Sequence, residues 1–111
     1  MDLSSDTRYH ILRALELNPD ASQRDLARAL GVSLGKMNYC LRALIEKGIL
    51  KARNFKNSRN KLAYMYYLTP AGVEEKSKLT VQFLRHKLVE AEKLQKEIEQ
   101  LRKDYRSKTR S

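Results

Sequence analysis

One cysteine, two prolines, four glycines and no tryptophan are a sparse set for 111 residues. Cys40 alone excludes an internal disulfide, and with only His10 and His86 beside it no metal-ligand spacing is available. No apolar run approaches the roughly 18 residues that a bilayer span requires. The opening Met1–Asp6 lacks the basic and apolar stretches of a signal peptide, so the chain reads as soluble and cytoplasmic. Enzyme chemistry finds no foothold: there is no Gly-rich phosphate loop, carboxylate pair, nucleophile motif or metal spacing, and hence no catalytic residue and no cofactor. Acids are scarce as well, 13 against 23 Lys and Arg, which leaves +10, disfavours an acidic-tail protein and points to a polyanionic partner, either nucleic acid or an anionic membrane surface. Apolar residues at 41% suffice for a small core, and the length fits one domain with an appendage.

The positive charge is concentrated. From Leu26 to Lys61 nine basic residues (Arg28, Lys36, Arg42, Lys47, Lys51, Arg53, Lys56, Arg59, Lys61) face one acid, Glu46, a net of 9 − 1 = +8. The remaining 14 basic and 12 acidic residues nearly cancel, so the polyanion should dock on this segment.

Local signals divide the first half into three short helices. A helix over about Ser5–Leu17 has Ser4 or Ser5 as cap and Ile11, Leu12 and Leu15 as its apolar face, and Asn18-Pro19-Asp20 stops it. Ser22-Gln23-Arg24-Asp25 is a capping-box variant opening a second helix, with Leu26, Ala27 and Leu30 inward and Gly31 as its left-handed end. Ser33 caps a third, stapled by Val32 on Met37; Met37, Cys40, Leu41, Leu44 and Ile45 form its stripe and Gly48 ends it. A hundred-degree wheel turns Lys36, Asn38, Tyr39, Arg42 and Glu46 away from that stripe, with Gly35 exposing backbone there. The period then changes: Ile49–Phe55 and Leu62–Leu68 read as strands around the basic tip Lys56–Lys61.

Thr69-Pro70 supplies an N-cap and a first-turn proline. From Pro70 to about Arg106 nothing after Gly72 breaks the helix, and Arg106–Ser111 reads as a frayed basic tail. Val81, Leu84, Leu88, Ala91, Leu94, Ile98, Leu101 and Tyr105 recur in a heptad-like pattern with one stammer at Ala91–Leu94. Such a helix is roughly 55 Å long, more than the small core can cover, so most of its stripe needs another chain. Val81, Leu84, Leu88, Leu94, Ile98 and Leu101 are the expected dimerisation residues.

Ala27, Gly31, Met37 and Cys40 have helix-turn-helix spacing, and a basic hairpin after the third helix makes a winged helix-turn-helix. The expected fold is mainly α (α+β), with residues 1–70 as DNA-binding domain and 71–111 as a long C-terminal dimerisation helix. Ser33, Lys36, Asn38, Tyr39 and Arg42 then lie in or beside the major groove. Arg53, Lys56, Asn57, Ser58, Arg59 and Lys61 form the wing on backbone and minor groove, and Gln23 and Arg24 contact phosphates. Cys40 reads as a packed thiol rather than a redox switch. Tyr64, Tyr66 and Tyr67 read as cover for the sheet; the alternative, stacking on unpaired bases, belongs to a winged helix used for RNA, single strands or protein partners. A coiled-coil scaffold with a vestigial head is the third reading.

The stretch Ala21–Ala27, then Leu30–Leu41, Leu44–Gly48, the wing Asn54–Ser58 and the Leu68–Gly72 exit resemble MarR-type winged-helix transcriptional regulators. The similarity is greatest to the short subgroup associated with bacterial exopolysaccharide gene clusters, and Ser33–Leu41 is its most specific part. The resemblance implies a homodimer on duplex DNA at a pseudo-palindrome. The expected partners are therefore duplex DNA and a second copy of the chain, and no membrane. Longer members build their dimer interface and a small-molecule crevice from extra helices at both ends; this chain has one long C-terminal helix instead, which argues against an effector.

Overall fold

The computed structural model describes residues 3–56 and 62–110, and at 54–56, 62–64 and 110 the backbone only. Three helices, α1 (Ser5–Leu17), α2 (Gln23–Leu30) and α3 (Leu34–Glu46), precede strands β1 (Leu50–Lys56) and β2 (Leu62–Leu68) and the helix α4 (Pro70–Arg110). The class is the expected one, mainly helical with a two-stranded sheet. By contacts the chain forms two compact units, Met1–Thr80 and Val81–Ser111.

The short helices are fixed by their ends, as the local signals require. The Ser4 hydroxyl accepts the Thr7 N–H at 3.1 Å, and the Ser33 hydroxyl accepts that of Lys36 at 3.0 Å. At α2 the box closes both ways: Asp25 N–H donates to Ser22 Oγ at 3.0 Å, and Ser22 N–H donates to Asp25 Oδ2 at 2.9 Å. Gly31 ends α2 at φ 69°, the left-handed conformation that a side chain would strain.

These bonds favour the Asp25 carboxylate and, with Arg28 nearby, hold its pKa below the ordinary 3.8. A lowered folded value stabilises the native state above the unfolded pKa and loses that contribution as pH falls through it. Asp25→Asn should therefore lower the melting temperature at pH 7 and leave it unchanged near pH 2, as parallel melts at the two pH values would show.

The core of the first unit gathers Ile11, Leu12 and Leu15 of α1, Leu26 and Ala27 of α2, and Met37, Cys40, Leu41 and Leu44 of α3, all buried. Each such aliphatic side chain contributes roughly 1.5–3 kcal/mol by leaving water. Leu30 and Ile45, expected inside, are half-buried. Burial pushes the Cys40 thiol pKa up against the opposing pull of Lys36, as expected of a packed thiol.

β1 and β2 pair antiparallel from Leu50↔Leu68 to Lys56↔Leu62. Ile49 lies just before β1 rather than in it, because its N–H bonds back to Leu44 C=O and its C=O accepts the Thr69 N–H. Lys56 closes β1 instead of opening the loop. Asn57, Ser58, Arg59 and Lys61, the rest of the expected tip, lie outside the described residues.

Residues 70–80 of α4 complete the first unit. Thr69 caps the helix by accepting the Gly72 N–H at 3.0 Å, and its hydroxyl also donates to Gly48 C=O. Gly72 is buried against the Ile49 carbonyl, Leu79 is buried, Arg8 pairs with Glu75 at 3.1 Å and Lys76 with Glu16 at 2.9 Å. The first compact unit thus ends at Thr80, ten residues beyond the expected boundary at residue 70.

The second unit is one continuous helix with Val81, Leu84, Leu88, Leu94, Leu101 and Tyr105 exposed and Ile98 half-buried. The expected fraying at Arg106 does not occur: the helix runs to Arg110. Ser107, Lys108 and Thr109 include no breaker, and Thr109 Oγ1 donates to the Tyr105 and Arg106 carbonyls.

Candidate nucleic-acid interface

The candidate interface starts from α3. Its buried stripe of Met37, Cys40, Leu41 and Leu44 fixes the rotation of the helix, so the opposite face is committed to solvent. On it Gly35, Asn38, Tyr39, Arg42, Ala43 and Glu46 line a shallow depression of about 330 Å³. Asn38, Tyr39 and Arg42 are therefore brought together as the wheel requires, and Lys36 is exposed. Space is open where a Gly35 side chain would lie, so a ligand can approach the backbone there.

Ala43 and Glu46 belong to this surface and were absent from the expected site residues. The signal for both was present in the wheel, since Glu46 falls four residues after Arg42. The chemistry of the face is specific: a guanidinium able to donate two parallel hydrogen bonds, an amide that both donates and accepts, a phenol, and one carboxylate that accepts only.

The flanking residues divide by role. Ser33 is exposed, but its oxygen already accepts the Lys36 N–H as the α3 cap. Gln23 is half-buried, and its amide donates to Leu34 C=O at 3.4 Å, tying the start of α2 to the start of α3. Arg24, next to it, is exposed. Gln23 was legible as a helix-start polar residue; its bond across the turn depends on tertiary placement.

On the sheet, alternation sends Leu50 and Tyr66 into the core and leaves Lys51 and Arg53 exposed. The Arg53 guanidinium stands over the Tyr67 ring, 5.4 Å from its centroid, a contact that holds the cation extended on the strand. Tyr67 donates in turn to Met65 Sδ at 3.7 Å. The tyrosines split accordingly, Tyr66 into the core and Tyr67 under a cation, while the Tyr64 side chain lies outside the described residues. So does that of Lys56.

Among the described residues no group of His, Cys, Asp and Glu could hold a metal ion, and no helix is long and apolar enough to cross a membrane.

Residues 4–51 match the family model described as winged helix-turn-helix DNA-binding. The chain carries a winged helix-turn-helix. Solved structures extend the likeness beyond that segment. The PcaV transcriptional regulator of Streptomyces coelicolor, solved with its natural ligand, superposes with a TM-score of 0.67 at 21% identity, over 78% of this chain and 60% of its own. Apo MarR of E. coli gives 0.59 at 19% over 70% of this chain and 56% of its own. S. aureus MepR in complex with DNA gives 0.60 at 20% over 74% and 58%. The likeness is one of fold, and the chain spans little more than half the length of these regulators. No curated protein matches the sequence. Within the winged helix-turn-helix, α3 is the second helix of the motif and β1–β2 the wing strands.

Proposed function

We propose that this protein is a sequence-specific, double-stranded DNA-binding transcriptional regulator acting as a homodimer on a pseudo-palindromic operator. The observation that carries the reading is the α3 face: Lys36, Asn38, Tyr39 and Arg42 stand outward together on the second helix of a winged helix-turn-helix, in the segment that holds +8 of the net charge. α3 enters the major groove and reads base edges. Arg53, with Lys56, Asn57, Ser58, Arg59 and Lys61, grips backbone and minor groove beside it, and Arg24 adds a phosphate contact. Gln23, whose amide ties the start of α2 to the start of α3, stands beside Arg24 as a second phosphate contact.

The S. aureus MepR fold, solved on DNA, supports the same use here. The resemblance of Ser33–Leu41 to the exopolysaccharide-associated subgroup makes exopolysaccharide genes the proposed targets. Burial of Tyr66 and the engagement of Tyr67 by Arg53 weigh against a base-stacking surface for single strands.

Sequencing the fragments that the purified protein selects from a random duplex pool tests the reading. A two-fold symmetric consensus supports it; recovery of unselected sequence contradicts it. Arg42 is assigned to base reading, so Arg42→Ala should cost about 1–3 kcal/mol on the selected operator and relax base preference. Equal loss on operator and random duplex in a binding titration would make Arg42 a phosphate clamp instead.

A further inference from the structure

The second unit presents an apolar face with no cover in the single chain. Downstream of the stammer the heptad is regular: Ala91, Ile98 and Tyr105 at a, Leu94 and Leu101 at d. Leu94, Leu101 and Tyr105 are 56%, 67% and 71% exposed. Ile98, Leu101 and Tyr105 floor a groove of about 380 Å³ edged by Arg102 and Arg106.

The residues flanking that seam are not symmetric in charge. On one side, at g, stand Glu90, Glu97 and Asp104, all acidic and exposed. On the other, at e, stand Gln95, Arg102 and Thr109, exposed and carrying one positive charge among them. In a parallel pair each g residue faces the e residue five positions later on the other chain; in an antiparallel pair g faces g and e faces e. Parallel pairing therefore sets Glu97 against Arg102 twice and Glu90 and Asp104 against uncharged groups. Antiparallel pairing sets acids against acids in every register.

We propose that a second copy of this chain covers the 91–105 face as a parallel, in-register coiled coil, with Glu97 of each chain paired to Arg102 of the other. The proposal rests on the homodimer reading above and goes beyond it in direction and register. Ile98 at a between Leu94 and Leu101 at d is the arrangement that favours two strands in parallel assemblies. Parallel pairing also sets the two Val81 residues side by side.

Spin labels test direction. Placed singly at Lys93→Cys, Gln100→Cys and Ser107→Cys in a Cys40→Ala background, they should give three equal interlabel distances by pulsed dipolar spectroscopy. In an antiparallel dimer the axial offset changes by roughly 21 Å for each seven-residue step along one side of the crossing point, so the three cannot coincide. Unequal distances overturn the parallel assignment and leave the dimer standing; absence of any dipolar coupling overturns both.

Charge exchange tests the pairing. Glu97→Lys should weaken dimerisation by about tenfold at low salt, and adding Arg102→Glu should restore it. Dimerisation unchanged or tightened by Glu97→Lys alone, as relief of acid–acid contact would produce, overturns the proposal.

Discussion

A Leu94→Glu, Leu101→Glu double variant is expected to sediment as a monomer at micromolar concentration and to lose operator affinity by about 10²–10⁴-fold, while residues 1–80 stay folded. Both leucines are more than half exposed in the single chain, so the substitutions remove nothing that the monomer uses. In the proposed dimer four leucines, two from each chain, leave water at roughly 1.5–3 kcal/mol each. Four carboxylates in their place face one another across a closed seam, which neither burial nor pairing relieves. The affinity loss follows from linkage rather than from any lost DNA contact. With two readers joined, the second binds at a high effective concentration, and separation forfeits that factor. Helical content and a cooperative melt of the variant would establish that the first unit is intact. A monomer that still binds operator at wild-type affinity would separate the helix from DNA recognition, and wild-type protein that is itself monomeric would overturn the dimer.

The second large effect lies within the first unit. Gly72→Ala should lower the melting temperature by about 10–20 °C, the equivalent of roughly 2–3 kcal/mol in a unit of this size. A Cβ at that position would fall inside the van der Waals envelope of the Ile49 carbonyl oxygen and 3.4 Å from its Cγ2. That carbonyl is already committed, accepting the Thr69 N–H at 3.0 Å, with the Thr69 hydroxyl oxygen 3.2 Å away. A methyl group must displace either the carbonyl or the first turn of α4, and each movement breaks the cap. Far-UV circular dichroism melts decide the point: an unchanged transition would mean that the contact relaxes without cost.

Gly72 also marks where sequence reasoning ends. The features read correctly are those that act over three or four residues: the Ser22–Asp25 box, the Ser33 cap, the left-handed Gly31, the Thr69-Pro70 start. Each is decided by hydrogen bonds that the neighbouring residues themselves supply. The outward face of α3 was legible for the same reason, because the buried stripe dictates its complement. What was missed depends on distant partners. Nothing local to Gly72 shows that it permits close approach of the Ile49 backbone. Leu79, two residues before the stripe as read from Val81, is buried. The Gln23 bond to Leu34 C=O across the turn had no local signal either. The run to Arg110 was hidden by composition: basic and hydroxylic residues resemble a tail, yet none of them terminates a helix.

The most direct test of the central claim, that duplex DNA is the ligand, is the salt dependence of its binding. A dimer that applies the Leu26–Lys61 charge from two subunits should neutralise about 8–10 phosphates, and log K against log salt should fall with a slope of about −7 to −9. An anisotropy titration of labelled duplex from low to moderate salt measures this. The account predicts that steep line, with duplex preferred over either single strand. A slope near zero, or tighter binding to single strands, would contradict it.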